Sequence, residues 1–250
     1  MKILAGRVFL PADFLIYAAF AEKRRRGGRT LDNVVWNDFY GIDMAVTKEY
    51  SFGGDALLLA EFASPKLRDN VLDLCTGCGV VPVMMMAKGF MGKITAVDIQ
   101  PGAAELCRMT AEKNRIEERF FPICADLNKL DMPAESFSLI TVNPPYFVSG
   151  AGKKNGTDAR DIARRESGCT LAQVTAVSSR LLKYGGRLCM CHRPERLADV
   201  IFEMRKNRLE PKRLTFVNNA TESKEPWLIL IEGRKGGHAG LKINYIQNGR

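Results

Sequence analysis

The sequence predicts an α/β fold built on a doubly wound, mostly parallel sheet. Three observations lead there. Short apolar strands alternate with helical stretches from Val71 onward, a Gly-rich turn follows the first strand, and acids close the next ones. The length of 250 residues suits one sizeable domain with an added arm.

The arm comes first. Residues 1–30 read as a basic N-terminal extension, and 31–250 as the domain. Phe9–Ala21 is apolar but interrupted by Pro11 and Asp13, and it runs into Lys23-Arg24-Arg25-Arg26-Gly27-Gly28-Arg29. That suggests a short helix ending in a basic tether. The cluster follows the apolar stretch, the reverse of a secretory signal's order, so no signal peptide is expected.

In the domain, Val71-Leu72-Asp73-Leu74 is the first strand, followed by a helix through about Lys88. Lys93–Asp98 is the second strand. Pro101–Asn114 is a helix with its proline in the first turn, where a missing N–H costs little. Phe121–Asp126 and Phe137–Val142 are further strands. Leu171–Leu182 is helical and stops at Tyr184-Gly185-Gly186, before a strand over Arg187–Cys191. A helix over Arg196–Asn207 precedes an antiparallel C-terminal pair, Arg213–Val217 and Trp227–Glu232. Ser149–Gly156, with three glycines and two lysines, reads as a loop.

Composition removes several function classes. The apolar runs Val80–Ala87 and Phe14–Ala21 fall well short of the roughly 20 residues that a bilayer helix needs, so no membrane partner is expected. Seven cysteines without a regular framework suit a reducing, cytoplasmic location. Only two histidines exist, His192 and His238, which excludes a multi-histidine metal centre. Cys75-x-x-Cys78 lies inside the Gly-rich turn, and Cys189 and Cys191 share one face of a core strand; buried thiols, not metal ligands, are expected. Charge is unevenly placed. Residues 1–150 hold 17 Lys+Arg against 18 Asp+Glu, whereas 151–250 hold 20 against 10. The +10 half points to a polyanionic partner, with nucleic acid first in line.

The chemistry gathers at strand ends, where ligands bind in open parallel sheets. Asp73-Leu74-Cys75-Thr76-Gly77-Cys78-Gly79 gives a tight turn and a helix N-terminus with unpaired N–H groups. No Gly-Lys-Ser/Thr follows, which excludes a Walker loop, and Pro82 occupies the third glycine place of the dinucleotide fingerprint. Asp98, 25 residues beyond Asp73, can accept both hydroxyl hydrogens of a ribose. Asp126 can accept from an adenine amino group. At the fourth strand end stands Asn143-Pro144-Pro145-Tyr146. An exocyclic amine on an aromatic base is a poor nucleophile because its lone pair is conjugated into the ring. The Asn143 side-chain oxygen and the Pro144 carbonyl can accept both amine hydrogens and free that lone pair to attack a methyl group. Pro144 and Pro145 hold the backbone extended, and the Tyr146 ring can stack on the base.

Asp73–Gly79 with Asp98, Asp126 and Asn143–Tyr146 resembles the Rossmann-like class I S-adenosylmethionine-dependent methyltransferases that modify amino groups. Tyr50-Ser51-Phe52-Gly53-Gly54-Asp55-Ala56-Leu57-Leu58-Leu59-Ala60 narrows the resemblance. So do Ala163–Glu166, Leu182–Arg187, Arg193–Leu197, Leu209–Arg213 and Glu232–Gly237. Together they are similar to the bacterial tRNA-Val adenine-N6 methyltransferases, from about Arg29 to Gly240. The resemblance implies S-adenosylmethionine as cofactor, tRNA as partner and no metal. It implies Asn143, Pro144, Pro145 and Tyr146 as catalytic residues, and Asp55, Asp73, Gly77, Gly79, Asp98, Ile99, Asp126, Leu127 and Asn143 at the cofactor. With the charge count, it directs Lys153, Lys154, Arg160, Arg164, Arg165, Arg234 and Lys235 to RNA. Three positions depart from the family: Cys75 stands where it usually has Gly, Gly54 where it has Thr, and Arg165 where it has His. Two other readings stay open, a methyltransferase for protein glutamine amides and an RNA-binding protein that keeps the fold without catalysis.

Overall fold

The computed structural model describes residues 3–4, 7–8, 31, 33–144, 169–219 and 225–248. The chain divides into two units, Met1–Asp32 and Asn33–Arg250. In the first, β1 (Ile3–Leu4) and β2 (Arg7–Val8) form a short antiparallel pair. The helix and basic tether expected over Phe9–Arg29 lie outside the described residues.

The second unit is the α/β domain. An antiparallel hairpin, β3 (Val35–Phe39) and β4 (Ile42–Val46), leads to helix α1 (Gly54–Ala63). The main sheet has eight strands. The parallel set is β5 (Asn70–Leu74), β6 (Lys93–Asp98), β7 (Phe120–Cys124), β8 (Phe137–Val142) and β9 (Leu182–His192). Beyond β9 come β11 (Pro226–Lys235), β10 (Leu209–Asn219) and the edge strand β12 (Lys242–Asn248), giving the order β12-β10-β11-β9-β8-β5-β6-β7. β11 runs antiparallel to both β9 and β10, whereas β12 runs parallel to β10. The expected antiparallel pair is present, and a third C-terminal strand extends it.

Helices α2 (Val80–Ala87), α3 (Pro101–Lys113), α4 (Leu171–Leu181) and α5 (Leu197–Lys206) cross over between strands. Helix α2 is buried from Val80 to Met86, so its apolar sequence needs no polar face. Pro82 falls in its first turn, where the N–H has no helical acceptor anyway. A capping box starts α4, with Thr170 and Gln173 each accepting from the other's backbone or side chain. No helix among the described residues is long and apolar enough to cross a membrane.

Successive strands step outward from β5 in two directions, to β6 and β7 on one side and to β8 and β9 on the other. The crevice of such a sheet opens at that reversal, beyond the carboxyl ends of β5 and β8. The register pairs Leu74 with Val142, so Cys75 and Asn143 leave the sheet side by side.

Candidate active site

Three groups of hydrogen bonds hold the strand ends around this crevice. Asp73, on β5, is 1% exposed; its Oδ1 accepts from Thr141 Oγ1 of β8 at 2.6 Å. The backbone then turns through Cys75 (φ 56°), Gly77 (φ 55°) and Gly79 (φ 83°). Gly79 is required sterically as well, because an added Cβ would lie 2.8 Å from Cys107 Sγ and 3.1 Å from Phe120 Cζ. Gly77 differs: an added Cβ there would meet nothing within 4 Å, so the turn faces open space on that side. The Gly77 N–H donates to Asp98 Oδ2 at 2.8 Å, and the Gln100 N–H donates to Asp98 Oδ1 at 3.0 Å. Asp98 thus ties the Gly-rich turn to the start of α3.

On the β8 side, Asn143 Nδ2 donates to Asp55 Oδ2 at 3.1 Å, and Asn143 Oδ1 accepts from the Cys191 thiol at 3.1 Å. Asp55 sits in the first turn of α1, and its Oδ1 accepts from the Ala56 N–H at 2.9 Å. On the β6 side, Asp126 caps the turn Leu127–Lys129, accepting from the Asn128 N–H at 2.9 Å. Leu127 is buried beneath it, whereas Ile99 is 39% exposed.

The electrostatics are those of a pocket built for a cation. Burial pushes the Asp73 carboxyl up to about 7, against the lowering effect of the Thr141 and Thr76 hydroxyls, and the neighbouring Asp98 raises it further. Burial also raises Asp98, opposed by the N–H donors of Gln100 and Gly77. Two buried oxygens here, Asp73 Oδ2 and Thr76 Oγ1, complete no well-formed hydrogen bond among the described residues. Buried polar atoms of this kind call for a polar ligand. A cationic group that also offers hydroxyl hydrogens fits Asp73, Thr76 and Asp98 together.

The structure also brings in residues that sequence reasoning did not assign. Tyr50 packs against Gly102, where an added Cβ would lie 2.7 Å from its ring. Its hydroxyl is held above the ordinary phenol range, first by burial and then by Glu49 and Asp98. The sequence signal for Tyr50 was its place at the head of the Tyr50–Ala60 motif. Cys191 gave no such signal. Cys169, just ahead of α4, lies with its sulfur 3.7 Å from Cys75 Sγ; the contact lowers the Cys169 thiol and raises Cys75.

Arg234 and Lys235, expected at RNA, are not brought to the crevice. Arg234 pairs with Arg187 in the ladder, while Ile229 pairs with His192 beside the site, so both basic residues lie toward the opposite end of the sheet. Arg234 Nε donates to the Gly185 carbonyl at 3.0 Å, and Lys235 Nζ bonds Glu135 at 3.0 Å and the Leu182 carbonyl at 2.8 Å. The other expected residues, Pro145, Tyr146, Lys153, Lys154, Arg160, Arg164 and Arg165, lie outside the described residues, as does the Ser149–Gly156 loop. No group of three or more His, Cys, Asp or Glu able to hold a metal ion occurs among the described residues, and the seven cysteines are free thiols.

Comparison with known proteins gives this geometry a family. The methyltransferase small domain matches residues 51–195. A tRNA1(Val) (adenine(37)-N6)-methyltransferase of Porphyromonas gingivalis is 31% identical over 192 residues, covering 73% of each chain. One of the same name from Parabacteroides distasonis is 28% identical over 182 residues, covering 72% of this chain and 75% of that one. Among solved structures, a predicted O-methyltransferase of Agrobacterium tumefaciens superposes with a TM-score of 0.61 at 21% identity, over 78% of this chain and 89% of the other. The geranyl diphosphate C-methyltransferase of Streptomyces coelicolor does so at 0.53 and 13%, over 73% and 78%. These two show the fold alone. The chain belongs to the methyltransferase small domain family, and it is a class I S-adenosylmethionine-dependent methyltransferase.

Proposed function

We propose that this methyltransferase modifies the N6 amino group of an adenine in tRNA, and specifically the adenosine 3′ of the anticodon of tRNA-Val. The observation that carries the reading is the placement of Asn143 and Pro144 at the end of β8, one strand from the acidic cradle of Asp73 and Asp98. The names of the relatives and the +10 charge of residues 151–250 support the tRNA acceptor.

Bound S-adenosylmethionine supplies an electrophilic methyl group on a sulfonium. The chain's own residues do the rest. The buried Asp73 carboxylate and the Thr76 hydroxyl hold the cofactor's ammonium end. Asp98, fixed by the N–H groups of Gly77 and Gln100, would accept from the ribose hydroxyls. Asp126 accepts from the adenine amino group, with Ile99 and Leu127 against the ring. On the acceptor side, Asn143 Oδ1 and the Pro144 carbonyl accept the two hydrogens of the target amine. That favours tetrahedral nitrogen and leaves its lone pair aimed at the methyl group, an interaction strongest in the transition state. In this reading Tyr146 is the residue that stacks on the extruded base, two positions in sequence beyond Pro144. Lys153, Lys154, Arg160, Arg164 and Arg165 follow directly in sequence and reach the flanking phosphates. The enzyme works in the cytoplasm, where tRNA is modified.

The test is label transfer. The protein is incubated with radiolabelled S-adenosylmethionine and total tRNA from a strain lacking this modification, and the nucleosides are analysed by mass spectrometry. N6-methyladenosine 3′ of the anticodon of one tRNA is expected. Label appearing in a protein glutamine would replace the reading with amide methylation, and no label in any acceptor would mark a binding protein.

A further inference from the structure

Catalysis as proposed needs one atom in one place. The Asn143 oxygen must face the target amine, and an amide turned by half a rotation presents a donor there and repels it. The side chain is held against that rotation from both sides. Asp55 Oδ2 receives Nδ2 at 3.1 Å, and the Cys191 thiol meets Oδ1 at 3.1 Å. A carboxylate carries acceptors only, so it selects the NH2 end of the amide, and the thiol donor is satisfied only by the oxygen. The two partners come from separate elements, the first turn of α1 and the interior of β9, 88 residues before Asn143 and 48 after it. Both are themselves fixed: Asp55 by the Ala56 N–H at 2.9 Å, and Cys191 by complete burial in the β9 strand.

We infer that Asp55 and Cys191 are positioning residues that set the amide orientation of Asn143. This rests on the reading above, in which Asn143 accepts from an amine. An amide oxygen can accept two hydrogen bonds, so accepting from the thiol is compatible with accepting from the amine. The carboxylate on the NH2 end draws positive character there and strengthens the oxygen as an acceptor. Asp55 therefore acts through Asn143, a different assignment from the cofactor contact that the sequence resemblance implies. The two assignments part on measurement. A cofactor contact moves affinity for S-adenosylmethionine, whereas a positioning residue moves turnover.

The experiment uses full-length Asp55→Ala, Asp55→Asn, Cys191→Ala and Cys191→Ser, the second and fourth being near-isosteric. Calorimetry should give S-adenosylmethionine affinities within about twofold of wild type for all four. Single-turnover rates with saturating tRNA should fall roughly tenfold or more in Asp55→Ala, less in Asp55→Asn, and severalfold in Cys191→Ala. Cys191→Ser, which keeps a donor, should restore the rate. A tenfold loss of cofactor affinity in Asp55→Asn with an unchanged saturated rate would overturn the assignment. A second readout does not depend on the acceptor. In protein labelled with 15N-asparagine, the Asn143 side-chain protons, identified by their loss in Asn143→Ala, should exchange at least tenfold more slowly in wild type than in Asp55→Ala. Equal exchange defeats the positioning role whatever the turnover. A wild-type enzyme that methylates no tRNA but keeps this protection defeats only the choice of acceptor.

Discussion

The two halves of the main sheet treat buried polar groups in opposite ways. In the parallel half, Asp73, Thr76, Asp98, Thr141 and Asn143 collect at the carboxyl ends of β5, β6 and β8, and two of their oxygens lack a partner among the described residues. Where β9, β10 and β11 meet the end of α1, the charges close on one another. Arg187 bonds Asp69 at 3.1 Å and Glu232 at 3.5 Å, and Arg213 bonds Glu232 at 2.9 Å. Arg187 and Arg213 also donate to the Ala63 and Phe62 carbonyls at the end of α1, at 3.0 and 2.6 Å, and Arg213 lies over the Phe62 ring. These arginines act as helix caps and strand clamps. The difference teaches where to look for function. Charges that the fold pairs internally clamp the scaffold, and the polar groups gathered at the parallel strand ends form the candidate site. It also qualifies the charge count, since part of the +10 belongs to side chains already paired within the chain.

The largest effect expected from breaking this division is on the scaffold. Glu232→Ala removes the carboxylate that Arg187 and Arg213 share, leaving Arg187 on Asp69 and both on carbonyls of α1, and should cost about 3 kcal/mol of stability. Urea titration measures that loss. Turnover per folded molecule should stay near wild type, and a selective loss of turnover in a fully folded variant would mean that the clamp is part of the site.

On the other side of the comparison, Asp98→Ala should weaken S-adenosylmethionine binding by about 1.5–3 kcal/mol, typical of lost hydrogen bonds to a charged group. Calorimetric titration of the folded variant checks it. Unchanged affinity would remove Asp98 from the cofactor cradle.

A pH series sharpens the same contrast. The Asp73 carboxyl sits near 7 in the folded chain and about 3.8 when unfolded, so the folded state binds its proton more tightly. Its contribution to stability is present in full below about 4 and is lost as pH rises through 7. A cationic cofactor requires the ionised form, so binding should weaken as pH falls below 7 and should release a proton near neutrality. Calorimetry in two buffers of different ionisation enthalpy counts that proton. Asp73→Asn should abolish the release, and a release that persists in this variant would assign the proton elsewhere.

The smallest effect concerns Cys75, a non-glycine residue at φ 56°. Cys75→Gly relieves left-handed strain and should raise stability by less than about 1 kcal/mol, because glycine's extra freedom when unfolded offsets part of the gain. Thermal denaturation decides the sign. A drop would show that the contact with Cys169 outweighs the strain.

The parallel half was also the legible half. Strands buried on both faces read as unbroken apolar runs, so Lys93–Asp98 and Phe137–Val142 match their expected bounds, with Asp98 and Asn143 at their ends. The antiparallel half concealed more. β12 is exposed from Lys242 to Ile246, so it carries no burial pattern to announce a strand, and neither does β3, exposed from Val35 to Asp38. Tyr184-Gly185-Gly186 reads as a helix stop, yet β9 already begins at Leu182. The glycines lie in an irregular stretch where the ladder jumps from Phe137–Leu182 to Leu139–Arg187. Cys191 is the buried thiol that the strand pattern implies, but its bond to Asn143 is not legible, because a partner 48 residues away leaves no local trace.

The central claim is that the polar groups at the parallel strand ends perform the transfer, with Asn143 receiving the amine. The most direct test is a single-turnover measurement on Asn143→Ala, with cofactor affinity determined on the same sample. The rate with saturating tRNA should fall roughly 10²-fold or more while S-adenosylmethionine affinity stays close to wild type. A rate within a fewfold of wild type, at unchanged affinity, would contradict the account.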